Sequence, residues 1–198
     1  TPLIKVNRTK SYGAEVVLVP GVYDDAYERA LKIANETGRT LIHPFDDDDV
    51  IAGQGTIGLE ILNQLSSVDA VIVPVGGGGL ISGIAFAIKS LKPSCKVYGV
   101  QAAGAPSMVE ALKKGKREAL SNAASLADGI AVKMPGEKTF EYCRKYVDEI
   151  VTVTDDEIDV KDFFKIVKDK KELIDLLKNL NKQYNDYKVD FERINNIR

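Results

Sequence analysis

Cysteine and histidine are scarce in this chain. Its 198 residues hold two cysteines, Cys95 and Cys143, and a single histidine, His43. The cysteines show neither metal-ligand nor redox spacing, which fits a reduced, cytoplasmic setting. One histidine excludes a His-rich metal site. Long hydrophobic runs are lacking too: no stretch approaches the roughly 18 apolar residues of a membrane span. The opening "TPLIKVNRTK" lacks the charged-then-apolar layout of a signal peptide. A net charge of −2 supplies no field that would recruit nucleic acid or an anionic membrane. From Val160 onward there is neither glycine nor proline.

The rest of the composition is that of a soluble globular protein, with 44% hydrophobic and 28% charged residues. The length suffices for one large domain or two small ones with a real core. Hydrophobic patterning predicts strands at Val16–Pro20 ("VVLVP"), "TLIHPF" (40–45), Ala70–Val75, Lys96–Val100 and Glu149–Val153. Between them it predicts helices at Asp24–Glu36, ended by Gly38, and at Ile57–Leu65, Leu80–Leu91, Ser107–Lys114 and Thr139–Tyr146. This alternation implies βαβ units, a parallel sheet and an α/β fold. The run "DDDD" at 46–49 reads as a solvated turn or a helix N-terminus, where acidic side chains suit the dipole. "TDDE" at 154–157 reads as a capping box, Thr154 capping the helix and Glu157 reaching back. Beyond it, Phe163, Ile166, Leu173, Leu177, Leu180, Tyr184, Tyr187, Phe191 and Ile194 recur in steps of three and four, broken only at Lys170. That is a heptad seam. It predicts a long helix or helical hairpin that pairs with a second copy or with its own chain; a surface helix packed on the body is the alternative.

The most informative stretch is "VIVPVGGGGLISGIAFAIKSL" (71–91), where four glycines separate a β-branched run from a helical pattern. A glycine loop between strand and helix lets backbone N–H groups converge on an anion, with the helix dipole behind them. A Walker loop needs Gly-Lys-Ser/Thr, and this one ends Gly79-Leu80-Ile81. A dinucleotide loop needs glycines at its first, third and sixth positions. From Gly76 the sixth is Ile81, and from Gly78 the third is Leu80. A single small phosphate remains as the ligand. A tight turn for strand–helix packing is the alternative, although one glycine would serve that purpose.

Six segments follow in order: "HPFDD" (43–47), "IAGQGTIGLEIL" (51–62), "VIVPVGGGGLISGIA" (71–85), "KVYGVQAAGAPSM" (96–108), "LADGIAV" (126–132) and "VDEIVTVTDDEI" (147–158). Together they resemble the fold type II pyridoxal phosphate enzymes, and among these the catabolic threonine dehydratases. The resemblance covers about residues 1–158. It implies deamination of L-threonine, and often L-serine, to a 2-oxo acid and ammonia. It also implies pyridoxal phosphate as cofactor, with the phosphate cradled by Gly76, Gly77, Gly78, Gly79 and the adjoining Leu80. Three segments remain: 1–50, a remnant of a small α/β domain; 51–158, the large-domain portion with the phosphate loop; and 159–198, a coiled-coil-like helical tail.

Other family features have no counterpart. The family's covalent lysine lies in a Ser-Phe-Lys-x-Arg-Gly segment, which the resemblance places before the point where this sequence begins. Its Ser-x-Gly-Asn-His loop and its Ser-Gly-Gly-Asn segment near the C-terminal end do not occur either. The side-chain ligands of the cation site of eukaryotic-type serine racemases would fall at Gln101 and Ser107, with a carbonyl at Ala105. Neither side chain carries charge, so no metal is expected. The expectation is therefore an ammonia-lyase relative with no catalytic residues of its own, binding cofactor weakly and non-covalently. The alternative is a non-enzymatic, self-associating module built on the C-terminal helix. His43 reads as structural, Asp46–Asp49 as solvated, and Tyr184 and Tyr187 as seam aromatics. Ser82 and Ser107 lack a base partner. For Glu60, burial near the cofactor and exposure on a helix stand equal.

Overall fold

The computed structural model describes residues 3–20 and 23–158. The heptad seam from Phe163 to Ile194 lies outside the described residues. The chain divides into two compact units, with the boundary between His43 and Pro44.

In the first unit, helices α1 (Leu3–Ser11) and α2 (Tyr23–Thr37) are the regular elements among the described residues. Val6 of α1 is buried. Gly38 ends α2 in the left-handed conformation, its N–H donating to the carbonyl of Ala34. The strands expected at 16–20 and 40–45 do not form. Among the described residues, the first unit has no strand for either run to pair with. Val17, Leu18 and Ile42 are exposed. A β-branched run without a strand to pair with has no ladder to join.

The second unit holds α3 (Asp48–Gln64), β1 (Ala70–Pro74), α4 (Gly79–Leu91), β2 (Lys96–Ala102), α5 (Ser107–Lys114), α6 (Glu137–Tyr146), β3 (Glu149–Val153) and α7 (Asp155–Ile158). Its three strands form a parallel sheet in the order β1-β2-β3, with Val73 opposite Gly99 and Gly99 opposite Ile150. On one face Val73, Val75 and Val97 meet Ile81, Ile84 and Ile88 of α4, together with Met108, Phe140 and Cys143. The opposite face leaves Ile72 of β1 exposed.

Helix α3 starts nine residues before the expected Ile57. Asp47 caps it, its Oδ1 accepting from the N–H groups of Asp49 (2.9 Å) and Val50 (3.1 Å). Gly53 and Gly55 hid this turn from propensity reasoning, yet Gly55 is where α3 meets α4. A Cβ on Gly83 would come within 2.2 Å of the Ile51 carbonyl oxygen, so the two helices touch backbone to backbone. The capping box at α7 forms as predicted. Glu157 Oε2 accepts from the Thr154 N–H (2.7 Å), and Thr154 Oγ1 accepts from the Glu157 N–H (3.3 Å).

Candidate anion-binding site

The four glycines join β1 to α4, and three of their carbonyls are held by protein partners. The Gly76 carbonyl accepts from Gln101 Nε2 at 3.5 Å. The Gly77 carbonyl accepts from Thr139 Oγ1 at 2.6 Å and from the Gly136 N–H at 3.3 Å. The Gly78 carbonyl accepts from the Ser82 N–H at 3.0 Å. In a planar trans peptide the N–H points opposite to the C=O. Each held carbonyl therefore fixes the N–H of the next residue, that of Gly77, Gly78 or Gly79, on the side away from the carbonyl's own partner. Among the described residues none of these N–H groups, nor that of Leu80, has a protein acceptor.

Gly77, Gly78 and Gly79 leave no room for a side chain or no conformation that suits one. Gly78 has φ +100°, a left-handed conformation that side chains resist. A Cβ on Gly77 would lie 2.5 Å from the Phe45 ring, and one on Gly79 would lie 2.9 Å from the Phe45 Cα. Phe45 thus packs flat along the loop.

The helix ends around the loop differ in how they are capped. Asp47 caps α3. Gln101, fully buried, caps α5: its Oε1 accepts from the N–H groups of Met108 (3.1 Å) and Val109 (3.0 Å). Asp46 caps α6, its carboxylate accepting from the N–H groups of Glu137 (2.9 Å), Lys138 (2.9 Å) and Thr139 (3.2 Å). Asp48 adds an ion pair to Lys138. Helix α4 begins at Gly78 with no side-chain cap. Its positive end and bare N–H groups are what an anion would meet.

Residues 1–159 match the family model described as pyridoxal-phosphate dependent enzyme. The chain belongs to this family. It is 54% identical over 157 residues to the L-threonine ammonia-lyase of Thermotoga maritima, a match covering 79% of this chain and 39% of that protein. It is 47% identical over 158 residues to the catabolic L-threonine dehydratase of Staphylococcus aureus, covering 80% of this chain and 46% of that one. Among solved structures, the processed form of threonine deaminase isoform 2 from Solanum lycopersicum superposes with a TM-score of 0.74 at 45% identity. That match covers 78% of this chain and 42% of the tomato chain. The chain thus spans less than half the length of these relatives. Its second unit is an α/β portion of the fold type II architecture, and the family's cofactor is pyridoxal phosphate.

The sequence-predicted residues Gly76, Gly77, Gly78, Gly79 and Leu80 are contiguous in this family's strand–loop–helix junction. Of the two readings of Asp46–Asp49, solvated turn or helix N-terminus, the second is what forms: Asp47 caps α3, and Asp46 also caps the start of α6. Gln101 and Ser107 lie beside each other, Nε2 donating to Ser107 Oγ at 3.4 Å. An amide donor thus stands where a cation site would need a carboxylate. Among the described residues no cluster of three or more His, Cys, Asp or Glu is arranged to hold a metal. His43 sits edge-to-face on Tyr27, with ring centroids 5.5 Å apart. Glu60 is exposed. Burial pushes the Cys143 thiol up to about 12, against the opposing pull of a hydrogen bond with Ser82, so it is no nucleophile. Sequence reasoning missed Phe45, Asp46, Thr139 and Gln101 as parts of this site. They touch the loop or its supports from 25 to 93 residues away in sequence, and only the motif order around them hinted at their importance.

Proposed function

We propose that the backbone of Gly76, Gly77, Gly78, Gly79 and Leu80 holds the phosphate of pyridoxal phosphate, and that the chain supplies this part of an L-threonine/L-serine ammonia-lyase site. The observation that carries the reading is the loop with its carbonyls held by protein partners and its N–H groups bare, at the uncapped end of α4. The donor set suits a phosphate: neutral backbone N–H groups, a helix dipole and no lysine. When bound, the cofactor withdraws electrons from the substrate Cα and so supports loss of the Cα proton and the β-hydroxyl. The chain's own part is to bind and orient. Phe45 walls the loop, and the fixed peptides spare the reorganisation that a flexible anion site would need.

None of the 27 lysines and arginines lies in a Ser-Phe-Lys-x-Arg-Gly segment, so we read no base and no covalent anchor among these residues. The 198-residue polypeptide assayed by itself is expected to bind the cofactor non-covalently and weakly, and to release no 2-oxobutanoate from threonine. Titration with pyridoxine 5′-phosphate, which has no aldehyde to react with lysines, tests the cradle. Binding is expected to exceed that of unphosphorylated pyridoxine and to be lost in Gly77→Asp, which puts a carboxylate and a clash with Phe45 into the loop. Equal binding of the two compounds would sink the proposal.

Within the same reading, residues 1–50, 51–158 and 159–198 act as small-domain portion, phosphate-binding portion and tail. The seam from Phe163 to Ile194 supports self-association through that tail, and the two buried free cysteines are consistent with the cytoplasm. A purely monomeric sedimentation profile at tens of micromolar, about the range in which weak self-association becomes visible, would refute the oligomer.

A further inference from the structure

Of the three loop peptides, the one between Gly77 and Gly78 is held by a side-chain hydroxyl. Thr139 is fully buried in the first turn of α6. Its Oγ1 donates to the Gly77 carbonyl at 2.6 Å. The corresponding contact to Gly76, from Gln101, is 3.5 Å, and Gly78 is held by its own helix. Thr139 is itself fixed from behind. Its N–H donates to Asp46 Oδ1 at 3.2 Å, and its carbonyl accepts from Ser82 Oγ at 3.4 Å. Gly136 cannot carry a side chain there, since a Cβ would come within 2.2 Å of Asp46 Oδ1. A chain of contacts thus runs from Asp46 through the start of α6 to the Gly77 carbonyl.

We infer that Thr139 is a positioning residue for the anion: its hydroxyl, by holding the Gly77 carbonyl, aims the Gly78 N–H at the phosphate. The inference rests on the cradle reading given above. It follows from peptide planarity: the Gly77 C=O and the Gly78 N–H are opposite ends of one rigid unit, so fixing one orients the other. Preorganised donors bind an anion better than donors that must rotate into place. Gly78 at φ +100° lies at the pivot, where a glycine peptide could otherwise turn over.

The test compares Thr139→Val, which keeps the shape and removes the hydroxyl, with Thr139→Ser, which keeps the hydroxyl. In both, the Gly136 N–H still serves the Gly77 carbonyl, so no buried acceptor is orphaned. Affinities of the full 198-residue chain for pyridoxine 5′-phosphate and for pyridoxine give the phosphate-dependent ratio. The Gly78 amide resonance reports the peptide directly, with no ligand present. Thr139→Val is expected to lower the ratio roughly five- to tenfold, the size of one hydrogen bond, and to shift the Gly78 amide. Thr139→Ser is expected to preserve both. If Thr139→Val does not fold, Thr139→Ala carries the same deletion and the same expectation. A wild-type ratio and unmoved Gly78 amide in the hydroxyl-less variant would overturn the inference. So would a Thr139→Ser variant as impaired as Thr139→Val, because packing alone would then explain the loss. A ratio of one in the wild-type chain would overturn the cradle reading and this inference with it, and is told apart by needing no variant.

Discussion

Two stretches of this chain are nearly the same on paper. "VVLVP" at 16–20 and "VIVPV" at 71–75 both pack four β-branched or aliphatic residues around a proline. The second forms β1 and buries Val73 and Val75, whereas the first stays irregular and leaves Val17 and Leu18 exposed. Intrinsic preference is common to both, so the difference lies in the neighbours. β1 has β2 along one edge, in register from Ala70–Lys96 to Pro74–Val100, and α4 across one face. Among the described residues, the earlier run has no strand of its own unit to pair with. Strand preference is thus a preference for a half-buried pleated setting, which the chain must supply from elsewhere.

Replacing equivalent valines is the most direct way to break this comparison. Val73 is 3% exposed and Val17 is 47% exposed. Val73→Ala is expected to cost about 2 kcal/mol, through lost burial and a residual cavity. Val17→Ala should stay within about 0.5 kcal/mol of wild type, as exposed substitutions do. Urea unfolding monitored by far-ultraviolet circular dichroism measures both. If the two variants lost equal stability, the earlier run would be packed in solution as firmly as β1, and the contrast would fail.

The same dependence on neighbours explains what the sequence could and could not reveal. Period and punctuation sufficed for β1, α4, β2, α5 and β3, because each carries its own signal within about ten residues: a β-branched run, a 3–4 apolar step, or a glycine stop such as Gly115 with φ +67°. The glycine loop was legible for the same reason. What supports the loop was not legible. Nothing local to Thr139 says that its hydroxyl will meet Gly77, and nothing in "DDDD" says that Asp46 will cap a helix that starts at Glu137. Gln101 was read only as a position without charge, although it is fully buried and bonds to Gly76, Ser107, Met108 and Val109. Local signals disclose elements and their ends. Long-range polar pairings, which fix how a site is held, leave no period behind. The misplaced strands at 16–20 and 40–45 are the reverse error, a local signal with no strand to pair with among the described residues.

A smaller effect sharpens the contrast at the entry to the sheet. Asp148, at the turn into β3, is an anchor with a largely buried side chain, whereas Glu15, just before the 16–20 run, pairs with Arg39 at 3.1 Å in an exposed ion pair. Its carboxylate accepts from Lys89 Nζ of α4 (2.6 Å), Lys96 Nζ (2.9 Å) and the Val97 N–H of β2 (2.8 Å), and its own N–H donates to the Val97 carbonyl (2.9 Å). Burial pushes the carboxyl up, but the hydrogen bonds from Lys89, Lys96 and Val97 outweigh it and hold the group well below the usual carboxylate range. A carboxyl depressed on folding is ionised in the folded state where the unfolded chain already takes up a proton. The stability it contributes is therefore complete above the unfolded value, near 4, and is lost as pH falls below it. Asp148→Asn is expected to cost about 1 kcal/mol at neutral pH, allowing for solvent screening of a partly exposed pair. It should also flatten the fall in stability between about pH 5 and pH 2. Thermal unfolding across that range checks both. An unchanged acid slope in Asp148→Asn would show that the anchor does not hold β2 and β3 together, leaving pairing and packing alone to distinguish β1 from the run at 16–20.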